Sequence, residues 1–273
     1  MHQRMLEVSD AIEQAASALS QGYDREQLYA LRVAMRRVRS MLKPIGSQRT
    51  REFRKAWGGF AALTNRARDW DVFLLTAAEL LPPARYGDFE RRHRNPVRAS
   101  HEAVLELLRT AHWRRHLEEW REYLRHGHGL AAEESAAAAA LDRALSKARA
   151  ALTTALETGD DRAWHKLRIA VKEVRYLAES GEGGAAPDPR LAGVIEQCKL
   201  LQSQLGGWHD CVVQLQLLAE MEAALEHGML SEAIAQRRGQ RLAEIERSVA
   251  GHPLFGLVEN SITRERSPSS SGS

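Results

Sequence analysis

One segment near the N-terminus carries several cations on a single helical face. Residues 29–44 read YALRVAMRRVRSMLKP. At about 100° per residue, the side chains that share an arc of about 80° are Tyr29, Arg32, Arg36, Arg39 and Lys43. Like charges spaced i,i+4 disfavour a helix by a few tenths of a kcal/mol per pair, and this face carries no interleaved acid. The spacing therefore favours an anionic ligand, although a basic face on its own is more commonly just solvated.

The same pattern returns in the second half of the chain, where residues 165–176 read HKLRIAVKEVRY. The two stretches align without a gap, so that the cations of the first recur as Arg168, Lys172 and Arg175. The apolar positions recur as well, with Leu31 and Val38 aligned to Leu167 and Val174 and predicted to face a core with Leu42. A repeat that preserved only apolar positions would indicate a duplicated fold. Preservation of the cations indicates a shared ligand.

Composition limits the classes of protein to which the chain can belong. The chain has 273 residues, of which 44% are hydrophobic and 27% charged, and this suits two repeats of about 130 residues. A net charge of +3 with a pI near 9.0 is low for a dedicated DNA-binding protein and favours a local basic pocket or channel. Without a membrane-length apolar run or a signal-peptide core, we expect a cytoplasmic protein. Cys198 and Cys211 are too few for a disulfide framework, and we expect both to be buried.

The hydrophobic pattern predicts an all-α fold, because apolar residues recur with a period of 3.6 and alternating β-branched runs are nearly absent. A helix start is predicted at Asp24 with Gln27, another at Asp160 or Asp161, and a helix break at Pro96. Gly127 and Gly129 predict the boundary between a first repeat, 1–130, and a second repeat, 131–262, with a disordered tail at 263–273. The predicted helices are 4–21, 25–44, 51–63, 69–81, 84–94, 97–126, 134–157, 161–180, 190–204, 208–226 and 231–249.

A second repeated motif contains an aspartate downstream of each basic stretch. The motifs are LTNRARDWDVFLL at 63–75 and LQSQLGGWHDCVVQL at 201–215, which pair Asp69 with Asp210. Such an aspartate can cap the next helix, or it can orient an arginine that contacts a ligand. We therefore assign supporting roles to these two aspartates and to the nearby cations Arg68 and Lys199.

The paired motifs resemble the CHAD domain, the conserved histidine α-helical domain, over about residues 2–260. The resemblance implies two four-helix bundles related by pseudo-two-fold symmetry, with the basic helices lining a central positive channel. Members of this family bind inorganic polyphosphate, and some associate with polyphosphate or polyhydroxyalkanoate granules. The family histidine falls on His165, whereas Tyr29 occupies its place in the first repeat. The polyphosphate-binding residues expected from the basic faces and this resemblance are Arg32, Arg36, Arg39, Lys43, His165, Arg168, Lys172 and Arg175, with Tyr29 in support.

Two other functions are weighed against polyphosphate binding. Nucleic-acid binding is suggested by the basic clusters at 90–98 and 112–121, but aromatic residues make up only 6% of the chain. The sequence predicts that Trp57, Trp70, Trp164 and Trp208 lie in the core. A metal-dependent phosphohydrolase is suggested by WHD at 208–210 with His165, but no later aspartate exists to complete its metal site. We therefore expect a binding module without catalysis, metal, cofactor or membrane association.

Overall fold

The fold is all-α, as predicted. The computed structural model describes residues 2–126, 134–181, 189–221 and 225–249, which contain ten helices and no strand. No helix in these segments combines the length and the apolar character needed to span a membrane. The predicted boundary at Gly127 and Gly129 and the predicted tail at 263–273 lie outside the described residues. The helices are α1 His2–Gln21, α2 Arg25–Met41, α3 Gln48–Leu63, α4 Asn65–Leu80, α5 Pro83–Arg109, α6 Ala111–His126, α7 Glu134–Thr158, α8 Asp161–Gly181, α9 Pro189–Ala219 and α10 Leu225–Val249.

Short polar side chains start the two basic helices at the predicted positions. Asp24 accepts a hydrogen bond from the backbone N–H of Gln27 at 2.8 Å, which caps α2. Asp160 accepts one from the backbone N–H of Ala163 at 2.6 Å, which caps α8. Before α8, the chain turns at Gly159, whose φ of 66° suits glycine. Both basic helices are therefore fixed in register by their first turn.

Two predicted helix boundaries are wrong. The helix does not end at Pro96, and α5 runs through this residue. Because Pro96 is exposed, water can form a hydrogen bond with the carbonyl that the proline leaves without a donor. The break comes instead at Thr110, which is extended and accepts a hydrogen bond from the backbone N–H of Trp113 at 3.1 Å. In the second half, the predicted break between 204 and 208 is absent. The helix α9 is continuous through Gly206 and Gly207, since neither glycine adopts the positive φ that would end a helix.

The described residues form two compact units, each assembled from two parts of the chain. The first unit takes its residues from 1–140 and 210–238, and the second takes them from 141–209 and 239–273. In the first, the apolar face of α2 packs into a core with α1, α3 and α6, and Leu31, Val38 and Leu42 are fully buried as predicted. In the second, Leu167 and Val174 on α8 are fully buried too. The basic residues of α2 and α8 therefore lie on the helix faces that do not pack into the cores.

The predicted buried residues also lie in the interior. The cysteines Cys198 and Cys211 are free and buried. The side chains of Trp57, Trp70, Trp164 and Trp208 are at most 1% exposed. These large apolar side chains contribute to packing rather than to a surface that a ligand can reach.

Candidate anion-binding site

The basic face of α2 lies at the surface of the first unit. Tyr29 and Arg39 are exposed, whereas Arg32, Arg36 and Lys43 are half-buried. The predicted face therefore exists as a row of accessible or partly accessible cations on one helix. The residues that these cations meet on α3 and α4 give them different roles.

Arg32 fastens α2 to the junction between α3 and α4. Its Nη1 donates to the carbonyl of Ala61 at 2.9 Å and to Oγ1 of Thr64 at 2.5 Å, and its Nη2 donates to Oδ1 of Asn65 at 2.9 Å. Burial, followed by repulsion from Arg36, lowers the pKa of Arg32 to about 10. This predicted ligand residue therefore also holds the fold together.

Arg39 meets a second arginine that sequence reasoning missed. Its guanidinium lies against α3 at Gly58, where any Cβ atom would lie 3.4 Å from Cζ of Arg39. Arg54 lies one turn before this glycine. Partial burial of the Arg39 guanidinium against α3, followed by the charges of Arg54 and then Arg36, lowers the pKa of Arg39. Arg39 is thus repelled by one arginine on its own helix and by one on α3. In the sequence, the position of Arg54 one helical turn before Gly58 is the only feature that marks it.

The predicted supporting residues of α4 lie beside the same face. Cζ of Arg68 is 5.1 Å from the ring centroid of Tyr29, which is a cation–π contact. Burial raises the pKa of Asp69 above its ordinary value. The positive charge of Arg32 opposes this rise, and the negative charge of Asp210 adds to it. Asp69 therefore lies within electrostatic reach of Arg32 on α2, of Arg68 on its own helix and of Asp210.

The basic face of α8 in the second unit contains the same division of roles. His165, Arg168 and Lys172 are half-buried on this face. Arg175, the counterpart of Arg39, donates from Nε to Glu179 at 2.9 Å and from Nη1 to Gln202 on α9 at 3.1 Å. Arg175 therefore ties α8 to α9, as Arg32 ties α2 to α3 and α4.

His165 is paired with a second histidine. Nδ1 of His165 and Nδ1 of His209 on α9 are 3.4 Å apart, and the ring centroids are separated by 4.6 Å. Burial, followed by the charges of Arg168 and His165, lowers the pKa of His209 to about 3. Burial, followed by Arg168 and Lys172, also lowers the pKa of His165. In the sequence, His209 stands out only as part of the possible metal motif at 208–210. Within the described segments, no group of three or more side chains could hold a metal ion.

Two further cations of the second unit lie on α9 and α10. Lys199, a predicted supporting residue, pairs at the surface with Glu196 at 2.6 Å. The guanidinium of Arg241 on α10 lies directly against Gly207, in the space that any side chain at that position would need. Arg241 was missed because nothing in a one-helix pattern links it to a residue more than thirty positions away.

Comparison with known proteins places the chain in a family. The family model described as the CHAD domain matches residues 3–219, which is most of the chain. The chain belongs to the CHAD domain family. It also resembles the crystal structure of the CHAD domain from the plant Ricinus communis, with a TM-score of 0.68 and 21% sequence identity over 93% of this chain and 88% of that chain. At this identity the likeness supports the shared CHAD fold, and no curated protein matches the sequence significantly.

Proposed function

We propose that this CHAD domain protein is a binding module for inorganic polyphosphate. The observation that carries the proposal is the row of accessible or partly accessible cations on α2, where the guanidinium of Arg39 lies against Gly58 of α3, one turn after Arg54. Burial of this guanidinium, followed by the charges of Arg54 and Arg36, lowers the pKa of Arg39. Fixed like charges raise the free energy of the unliganded protein, and a polyanion between them removes that cost. Arginines at spaced positions suit phosphate oxygens, since each guanidinium can donate two parallel hydrogen bonds.

Among the residues that the structure describes, the scarcity of accessible aromatic rings favours polyphosphate over nucleic acid. Single-stranded nucleic-acid sites combine cations with aromatic rings on which bases stack. All six tryptophans of this chain are buried, with at most 3% of each exposed, and the exposed ring of Tyr29 already has Arg68 over it. Polyphosphate has no bases, and it needs only the cations.

The basic faces of α2 and α8 are further proposed to bind the same polyphosphate chain, as the family resemblance implies. Binding of a long chain at both faces would raise affinity above that of either face alone. We also propose that this binding brings the protein to polyphosphate granules or to polyhydroxyalkanoate granules.

The test of binding is a salt series with labelled long-chain polyphosphate. Fluorescence anisotropy should give a sub-micromolar Kd at low salt, and log Kd should rise linearly with log salt because bound cations release counterions. Single-stranded and double-stranded DNA of matched total charge serve as competitors. Salt-independent binding, or equal displacement by DNA, would contradict the proposal.

The protein is proposed to bind polyphosphate without hydrolysing it. Incubation with polyphosphate and Mg²⁺ or Mn²⁺ should release no orthophosphate. Release that persists through a further purification step and disappears in Asp210→Ala would show an enzyme instead.

A further inference from the structure

We infer that His165 and His209 form a proton-linked phosphate subsite, so that the second basic face takes up one proton when it binds a polyanion. This inference rests on the proposed function, since polyphosphate is the ligand. It adds a binding residue, His209, and a proton that is taken up together with the phosphate. Three observations support it: the geometry of the pair, its charged surroundings and the different pair that occupies the same place in the first unit.

The geometry of the pair makes the two rings act together. At 3.4 Å between the Nδ1 atoms, one neutral ring donates its Nδ1–H to the Nδ1 of the other. The donor ring is then left with a bare Nε2, which accepts hydrogen bonds, while the other ring carries Nε2–H. A bare nitrogen repels a phosphate oxygen. One added proton converts it to N–H, so that the pair presents two Nε2–H donors and keeps its internal bond.

The surroundings keep that proton away until an anion arrives. The rings repel each other's positive charge, and the cations Arg168 and Lys172 on α8 repel it as well. With burial they favour the neutral rings in the free protein, and the pKa of each imidazole is lowered. A phosphate chain bound at these cations adds negative charge next to the rings, which reverses the balance and raises the same pKa values.

In the first unit, the two residues at the matching positions have a charge that does not change with pH near neutrality. The alignment of the basic stretches places Tyr29 opposite His165, and the alignment of Asp69 with Asp210 places Arg68 opposite His209. These two first-unit residues are likewise in contact, since Arg68 lies over the ring of Tyr29. The first face thus presents a permanent cation where the second presents two imidazoles. This difference predicts that only the second face responds to pH.

The experiment measures polyphosphate affinity of the full chain between pH 8 and pH 5.5 at constant ionic strength. Uptake of one proton should tighten binding by about tenfold per pH unit at most, within the interval between the free and bound pKa values. Long chains are used because they contain few terminal phosphates that titrate near neutrality. The variant His165→Tyr/His209→Arg, which copies the first unit, should bind with little pH dependence, whereas Arg36→Gln should bind more weakly with the wild-type pH dependence.

A second measurement does not depend on how any variant folds. Calorimetric titration of the wild-type protein at pH 6.5, in two buffers with different ionisation enthalpies, gives the number of protons taken up per chain bound. We expect a value approaching one. Binding without proton uptake, or a pH dependence retained in the Tyr/Arg variant, would overturn the inference and leave polyphosphate binding intact. Failure to bind at any pH would overturn both.

Discussion

The double role of Arg32 leads to a stability prediction that separates it from its neighbour Arg36. Arg32 donates three hydrogen bonds, to Ala61, Thr64 and Asn65. A hydrogen bond from a charged donor contributes about 1.5–3 kcal/mol, but burial of the guanidinium and repulsion from Arg36 offset part of that sum. Because glutamine can retain one of the three bonds, we expect Arg32→Gln to lose about 2 kcal/mol of unfolding free energy. This corresponds to a fall in Tm of about 4–8 °C.

The matched control is Arg36→Gln, which removes the same charge from the same helix face. We expect a change of less than about 1 kcal/mol there, because a half-exposed charge interaction is screened by solvent. The assay is urea unfolding followed by circular dichroism at pH 7.5 without ligand. A double-mutant cycle with Thr64→Ala should also show coupling of about 1 kcal/mol to Arg32. Equal stability of the two glutamine variants would refute the structural role of Arg32.

Three shorter predictions concern residues that the sequence did not predict to bind polyphosphate. Burial lowers the pKa of His116 to about 4, so neutral His116 favours the folded state above pH 6.5, and this contribution is lost as pH falls and the unfolded chain binds a proton. Urea unfolding at pH 7.5 and pH 5 should therefore show about 2 kcal/mol less loss in His116→Leu than in the wild type; equal loss would contradict the shift. Arg54→Gln should reduce the slope of log Kd against log salt by about 0.7–1, and an unchanged slope would remove Arg54 from the site. Gly206→Ala should stabilise α9 by about 1 kcal/mol, whereas Gly207→Ala should stabilise it less because it displaces Arg241. That difference should vanish in an Arg241→Ala background, and equal stability of the two alanine variants in the wild-type background would contradict this packing.

Features with a one-helix period could be predicted from the sequence. Burial of Leu31 and Val38 and the cap at Asp24 follow from spacing within a single helix, and the structure confirms them. The predicted helix break at Pro96 is wrong, because α5 continues through this exposed proline, where water can reach the carbonyl that is left without a donor. That depends on exposure, which the local sequence does not specify.

The parts of the candidate site that were missed depend on contacts between helices. Arg54 joins Arg39 only because α3 packs beside α2, and His209 joins His165 only because α9 packs beside α8. Likewise, the partners of Arg32 lie about thirty residues away. A repeat of cations along one helix indicates a ligand, but the division between structural and ligand-binding arginines requires the tertiary structure.

Thermal unfolding with and without polyphosphate tests most directly whether the two basic faces bind it. At a hundred times Kd, the ligand should stabilise the wild-type fold by about 2.7 kcal/mol. The variant Arg36→Gln/Lys172→Gln should retain its helices and lose most of that ligand-induced shift. The control Arg115→Gln/Arg143→Gln, with the same loss of charge at two exposed positions elsewhere, should keep the shift. A full shift in Arg36→Gln/Lys172→Gln would contradict the proposal and show that the cations of α2 and α8 are only a solvated surface.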